Sequence, residues 1–312
     1  MGASRSSRPA SEVAAPPAAP MAGRWRLLVA PFAYFFHSRV PHGRQKIGWV
    51  LGYVLPVLGL AAAAHGGLGG LLPAALMVAA VYTAYEFGYL VNDTLSIERE
   101  AQPTLRLPRA TRDALRRHLA LALVARLGIA GVLLALLLWI QGPALAAAVL
   151  GWAALWPLFA LYNRWRGRIT IALHFMLIGL RCTLPIIAAA PALEPGLTAP
   201  LLLLYALPNT LEGAWKPRYG LTAWRDFAGG AHRFRVVWSA AMAAAGLALV
   251  WARPSEAAWL FLGASLYYLL FRGGAGLLRS PQPLAVASAA QAVPPDGPAP
   301  AGRSRGGEAV DH

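Results

Sequence analysis

Eight long apolar stretches, near residues 47–65, 71–91, 117–140, 144–162, 169–190, 198–215, 235–252 and 256–271, leave this chain few ways to fold. Each approaches the roughly 20 residues with which a helix crosses a hydrocarbon core. Inside lipid every backbone amide and carbonyl needs a partner within its own segment or barrel, and stretches of this length and pattern meet that need as helices. The expected fold class is therefore all-α: a polytopic membrane helix bundle of about eight transmembrane helices. The composition of 57% hydrophobic and only 13% charged residues excludes an ordinary soluble domain.

The connections sort by charge. Those at 94–117, 163–168, 216–235 and after 271 carry most of the Lys and Arg. Those at 66–70, 141–143 and 191–197 carry none, and 253–255 carries only Arg253. The positive-inside rule then puts both termini and the basic loops in the cytoplasm, and an integral protein of a bacterial cytoplasmic membrane is expected. It also accounts for the formal net charge of +15. Cations divided among short membrane loops do not form a nucleic-acid surface. The lone Cys182, inside an apolar run, offers neither a disulfide nor a thiolate metal site.

Residues 1–23, rich in Ala, Pro and Ser, and residues 273–312, rich in Pro, are expected to be disordered tails around a membrane domain at 24–272. Basic and aromatic residues alternate over 24–46 (Arg24, Trp25, Arg26, Tyr34, Phe35, Phe36, Arg39), with Pro31 interrupting, so an interfacial N-terminal helix is expected there.

Ionisable residues within spans are costly and mark functional candidates. Here they are Glu86, Arg126, His174, Arg181 and Glu212. Positions seven apart share a helix face, which aligns Glu86 with Asp93 and His174 with Arg181, and puts Tyr82, Tyr85 and Tyr89 beside the first pair. One bland alternative is a Glu86–Arg181 ion pair that only fixes packing. At the exit of the second span, Asp93, Ser96 and Glu100 fall at i, i+3 and i+7, on one face if the helix continues. Magnesium takes one or two carboxylates together with water and phosphate oxygens, so Asp93 and Glu100 would suffice, and Arg106, Arg109 and Arg112 could grip a phosphate. The bland alternative is that Asn92-Asp93 ends a helix and the arginines enforce topology.

The run Asn92-Asp93-Thr94-Leu95-Ser96-Ile97-Glu98-Arg99-Glu100, with Pro103-Thr104-Leu105-Arg106 after it, resembles the UbiA-type superfamily of intramembrane prenyltransferases over roughly residues 30–270. That family carries an NDxxDxxxD motif after its second span and another aspartate-rich motif after its sixth. Tyr162-Asn163-Arg164 to Arg181 is similar to its fourth-to-fifth span connection. Ser96 and Glu100 stand at the second and third aspartates. The family has nine spans, and its second motif is missing here: Asn209-Thr210-Leu211-Glu212-Gly213-Ala214-Trp215-Lys216-Pro217-Arg218 offers one carboxylate and two cations, with Asp226 further on.

The resemblance implies transfer of a prenyl group from a prenyl diphosphate to a lipophilic or aromatic acceptor, with Mg2+-assisted departure of diphosphate. It implies catalytic roles for Asn92, Asp93 and Glu100, with Asp93 and Glu100 on the metal. Arg106, Lys216 and Arg218 would bind diphosphate. Glu86, Arg181, Asn209, Glu212 and His174 would line the cavity or touch the acceptor, with Tyr82, Tyr85, Tyr89 and Trp215 as aromatic walls. The alternatives are a non-catalytic isoprenoid- or lipid-binding or transport protein on the same scaffold, and a prenyl diphosphate cyclase without an acceptor.

Overall fold

A computed structural model describes residues 25–99, 105–165, 167–190, 202–216, 219 and 221–277. Among them every regular element is helical. A short helical hairpin, α1 (Trp25–Val29) and α2 (Ala33–Ser38), precedes the long α3 (Gly43–Ala64) and α4 (Leu71–Thr94). An amphipathic α5 (Arg109–Arg117) leads into α6 (Leu119–Gln141), α7 (Ala146–Arg164) and α8 (Ile169–Ala189). The chain continues with α9 (Leu207–Ala214), the short α10 (Thr222–Phe227), α11 (Gly230–Ala252) and α12 (Glu256–Leu277).

Among the described residues five helical stretches are long and apolar enough to cross a membrane: Gly43–Ala64, Leu68–Glu98, Leu119–Arg164, Ile169–Ala189 and Gly230–Ala252. The third contains both α6 and α7, joined by the tight turn Gly142–Leu145. Outward residues such as Trp139, Leu150 and Trp251 are largely exposed, as lipid-facing side chains are. The chain is an integral membrane protein by this architecture.

The centre of the bundle is α4. Its Met77, Ala80, Val81, Ala84 and Tyr85 pack against Ala130, Leu134 and Leu137 of α6, Trp152, Leu155 and Phe159 of α7, and Leu177 and Leu184 of α8. Lipid tails are as apolar as these side chains, so close packing and interhelical hydrogen bonds must hold the helices together. Both are present. A Cβ added at Gly88 would lie 2.4 Å from the Phe159 ring, so only glycine permits this approach of α4 to α7. Trp152 Nε1 donates to the Ala80 carbonyl at 2.8 Å, Asn163 Nδ2 to the Gly88 carbonyl at 3.1 Å, and the Tyr85 hydroxyl to the Leu177 carbonyl.

Two π turns interrupt the regular ladder, at Val50–Val54 within α3 and at Leu202–Ala206 before α9. A π turn leaves local carbonyls to find other partners. Here Tyr267 and Tyr268 of α12 donate to the Leu51 and Gly52 carbonyls at 2.7 and 3.1 Å. Trp238 of α11 and the Asn209 amide donate to the Leu203 and Tyr205 carbonyls at 2.9 and 2.7 Å.

The structure departs from the sequence expectations in three places. The segment at 24–46 is not one interfacial helix: a hairpin turns at Phe32 and inserts Leu28, Tyr34 and Phe35 into the core, while Gly43 already starts α3. The helix at the second-span exit does not continue. Leu95 (φ −117°, ψ −51°) ends α4, and Ser96–Arg99 form a tighter 3-10 turn, so α-helical spacing no longer relates Ser96 to Asp93. Finally, α12 runs to Leu277, past residue 272 where a tail was expected.

Candidate functional site

Both carboxylates of α4 are occupied by the N-terminal hairpin. Glu86 is fully buried and accepts the Phe32 and Phe35 amides at 2.9 and 2.6 Å. It also accepts Arg126 Nη1 of α6 at 2.8 Å, within an ion pair of which both members are inaccessible. Arg126 Nη2 reaches the Leu27 carbonyl at 3.0 Å. Phe32 adopts a left-handed backbone (φ 67°), which turns both amides onto the same carboxylate. Glu86 therefore pairs with Arg126 and not with Arg181, and it fixes chain entry rather than facing a cavity.

Two turns further along α4, Asp93 is 1% exposed. Its Oδ2 accepts the Tyr34 hydroxyl at 2.8 Å. Its Oδ1 meets Arg39 Nη2 at 3.0 Å, Asn92 Nδ2 at 3.2 Å and Arg106 Nη1 at 3.3 Å. Tyr34 lies in the N-terminal hairpin, ahead of the first membrane-spanning stretch, and burial beside the Asp93 carboxylate pushes its phenol well above the usual range. The Asp93 surroundings are donors and cations, the shell of a structural carboxylate. Magnesium requires oxygen ligands, so this arrangement does not fit it as it stands. Among the described residues no group of three His, Cys, Asp or Glu side chains comes together. Glu100 and Arg218 lie outside the described residues.

From Asp93 an aromatic ladder runs inward. Arg39 lies 4.4 Å over the Tyr89 ring, and Tyr89 meets Tyr85 edge-on at 6.0 Å. Tyr85 is one wall of a box around Arg181 on α8, whose guanidinium lies 5.3 Å from Tyr85, 5.0 Å from Tyr53 and 5.6 Å from Tyr205. Each π turn presents one of these walls. Tyr53 from the first donates to the Arg181 carbonyl at 2.8 Å, and Tyr205 from the second accepts Arg181 Nη2 at 3.2 Å. No carboxylate pairs with Arg181 among the described residues, and its Nε finds no hydrogen-bond partner. The Nε atoms of Arg39 and Arg112 are likewise buried and unmatched. Buried donors without partners mark places where a ligand can complete the structure.

The remaining expected residues divide between two small clefts. His174 stacks on Tyr162 at 6.0 Å and shares a cleft of about 10 Å³ with Thr210 and Lys216. Glu212 forms a two-pronged ion pair with Arg235 of α11 in a second cleft of about 20 Å³, also lined by Asn209. Arg109 faces outward beside Asp113. Trp215 packs edge-on against Phe234, away from the α4 tyrosines.

The structure thus brings Asn92, Asp93 and Arg106 together and sets Arg181 on the same aromatic ladder, while His174, Lys216, Asn209 and Glu212 lie around α9. Tyr34, Arg39, Tyr53, Tyr205, Arg235 and Arg272 were not singled out for the site by sequence. The signal for Arg39 and Tyr34 was present as basic–aromatic alternation, but it reads equally as a membrane-surface pattern.

These features define an all-helical integral membrane protein with an arginine-rich, tyrosine-walled interior. No family model matches the chain, and neither a curated protein nor a solved structure shows significant similarity to it.

Proposed function

We propose that the chain is an intramembrane prenyltransferase of the UbiA type, with about eight spans and both termini in the cytoplasm, handling a prenyl diphosphate at the foot of α4. The observation that carries this reading is the excess of guanidinium groups over carboxylates along one aromatic ladder. Among the described residues Arg39 and Arg106 both reach Asp93, and Arg181 pairs with no carboxylate. An anionic lipid-like substrate supplies the missing charge and a matching apolar tail.

In this proposal the diphosphate displaces Asp93 from Arg39 and Arg106. Cleavage of the allylic C–O bond sends its electron pair to the diphosphate, and the two guanidinium groups stabilise the charge that builds there. The acceptor then forms a new bond to the allylic carbon and loses a proton. Arg181 suits an anionic or strongly polar group on the acceptor, since its tyrosine walls already orient it. Magnesium, expected from the resemblance, carries no step, because Asp93 is surrounded by donors.

A second reading, lipid binding or transport without chemistry, is favoured by the filled space between α2, α3 and α4, where Phe32, Phe35, Trp49 and Tyr82 stack on one another at 4.8–5.9 Å. The test is diphosphate release from prenyl diphosphates of several lengths, with and without acceptors and magnesium, by wild type, Arg106→Gln and Arg181→Gln proteins. Release lowered about a hundredfold by Arg106→Gln supports transfer. Stabilisation by ligand with no release supports binding or transport, and release without acceptor supports a cyclase. Release equal in all three proteins sinks the guanidinium mechanism.

A further inference from the structure

A second cationic cleft adjoins the inner end of this ladder, sharing Tyr205 with the Arg181 box. Arg235 stands near the start of α11 and Arg272 near the end of the adjacent α12, so both belong to one membrane face. With Glu212, Asn209 and Tyr205 of the π-turn helix they line the cleft of about 20 Å³. Among the described residues only one carboxylate serves the two cations, and Arg235 takes it on both oxygens. Arg272 is half-buried, makes no hydrogen bond or ion pair among the described residues, and lies 5.0 Å over the Phe271 ring. Its nearest constraint is α3, where a Cβ on Gly52 would come within 3.9 Å of Nη2.

Several groups around Arg272 are already committed. Tyr268 donates to Gly52, Ser239 to the Arg235 carbonyl, and Asn209 spends one amide hydrogen on Tyr205. Among the described residues the donors left over are the Arg272 fork, Nη1 of Arg235, the Tyr205 hydroxyl hydrogen and the second Asn209 hydrogen. Such a set asks for an acceptor with several oxygens and at least one negative charge. The enclosed space holds about one water-sized group, so one oxygen enters and the rest of the ligand stays at the mouth. Leu203 and Val237, the chain neighbours of the lining residues Leu204 and Trp238, are exposed and apolar.

We propose that this cleft is a phosphate site, with Arg272 as its principal ligand and the flank at Leu203 and Val237 as the bed of an attached lipid chain. It is separate from the Arg39–Asp93–Arg106 cluster and does not depend on prenyl transfer. The ligand chemistry is a phosphate ester, whether the headgroup of a membrane lipid or a free phosphate.

The full chain in phosphatidylcholine nanodiscs tests this. Retention of phosphatidic acid is read by native mass spectrometry, and inorganic phosphate binding by calorimetry, for wild type, Arg272→Gln, Arg272→Lys and Arg225→Gln. Arg225 is an exposed arginine outside the cleft and controls for general surface charge. Arg272→Gln is expected to lower phosphatidic acid retention about tenfold, with Arg272→Lys between it and wild type and Arg225→Gln unchanged. The same pattern with inorganic phosphate alone assigns the cleft to a free anion. Equal binding by wild type and Arg272→Gln, or an equal loss in Arg225→Gln, overturns the site. Thermal unfolding of each variant shows whether a loss of binding reflects a loss of fold.

Discussion

Replacing Arg126 by Gln should release the N-terminal hairpin. Arg126 Nη1 neutralises Glu86 at 2.8 Å and Nη2 holds the Leu27 carbonyl at 3.0 Å, with both side chains of the ion pair inaccessible. Without Arg126, Glu86 keeps only the Phe32 and Phe35 amides and becomes an uncompensated buried charge. Breaking such a pair from one side costs about 3–5 kcal/mol. At about 1.4 kcal/mol per factor of ten, the undocked population rises by roughly two to three and a half orders of magnitude. A Ser38→Cys reporter reads this directly, because Ser38 is 8% exposed and the native Cys182 is 1% exposed and labels slowly. Labelling of the Ser38→Cys protein should accelerate by the same roughly two to three and a half orders when Arg126→Gln is added. Adding Glu86→Gln as well should recover part of the loss, since the unpaired charge is then gone. An acceleration below tenfold, or a triple variant no slower to label than the double, would refute the clamp.

Tyr34→Phe removes a hydrogen bond to a charged acceptor and should cost about 1.5–3 kcal/mol in denaturant unfolding in mixed micelles. The same residue gives a pH dependence. Burial, reinforced by Asp93, lifts its phenol above the ordinary 10.0, so the unfolded chain loses that proton first. The associated stability is intact below pH 10.0 and falls as pH rises above it, and Tyr34→Phe should flatten that part of the alkaline profile. Gly88→Ala would drive a Cβ into the Phe159 ring and should destabilise by about 1–3 kcal/mol, with Phe159→Leu restoring much of it. Tyr268→Phe leaves the Gly52 carbonyl of the π turn without its partner and should cost about 1 kcal/mol by the same unfolding assay.

The long helices were legible because lipid forces the backbone to satisfy itself locally. The stretches expected at 71–91, 117–140, 144–162 and 169–190 appear as Leu71–Thr94, Leu119–Gln141, Ala146–Arg164 and Ile169–Ala189. The π turns were not legible. They depend on carbonyl partners supplied by Tyr267, Tyr268 and Trp238 from helices far along the chain, and no local propensity records that supply. The hairpin was misread for a related reason. Basic–aromatic alternation describes a surface helix well until Glu86 and Asp93 offer acceptors that draw it inward.

The same contrast bears on the site. Spacing placed Glu86 and Asp93 on one face of α4 but could not say which segment meets that face. A carboxylate that awaits a metal and one that clamps the chain have the same sequence signature. Their partners separate them: Glu86 and Asp93 are met by amides, a phenol and guanidinium groups. Arg181 differs from both. Its neighbours in the box are tyrosines, which orient a guanidinium through their π faces without neutralising it. A charge held unneutralised at that depth is costly, and packing alone would be served as well by an apolar residue. Retaining it makes physical sense where an anion arrives, so under the proposed function Arg181 would bear more directly on ligand binding than either carboxylate of α4.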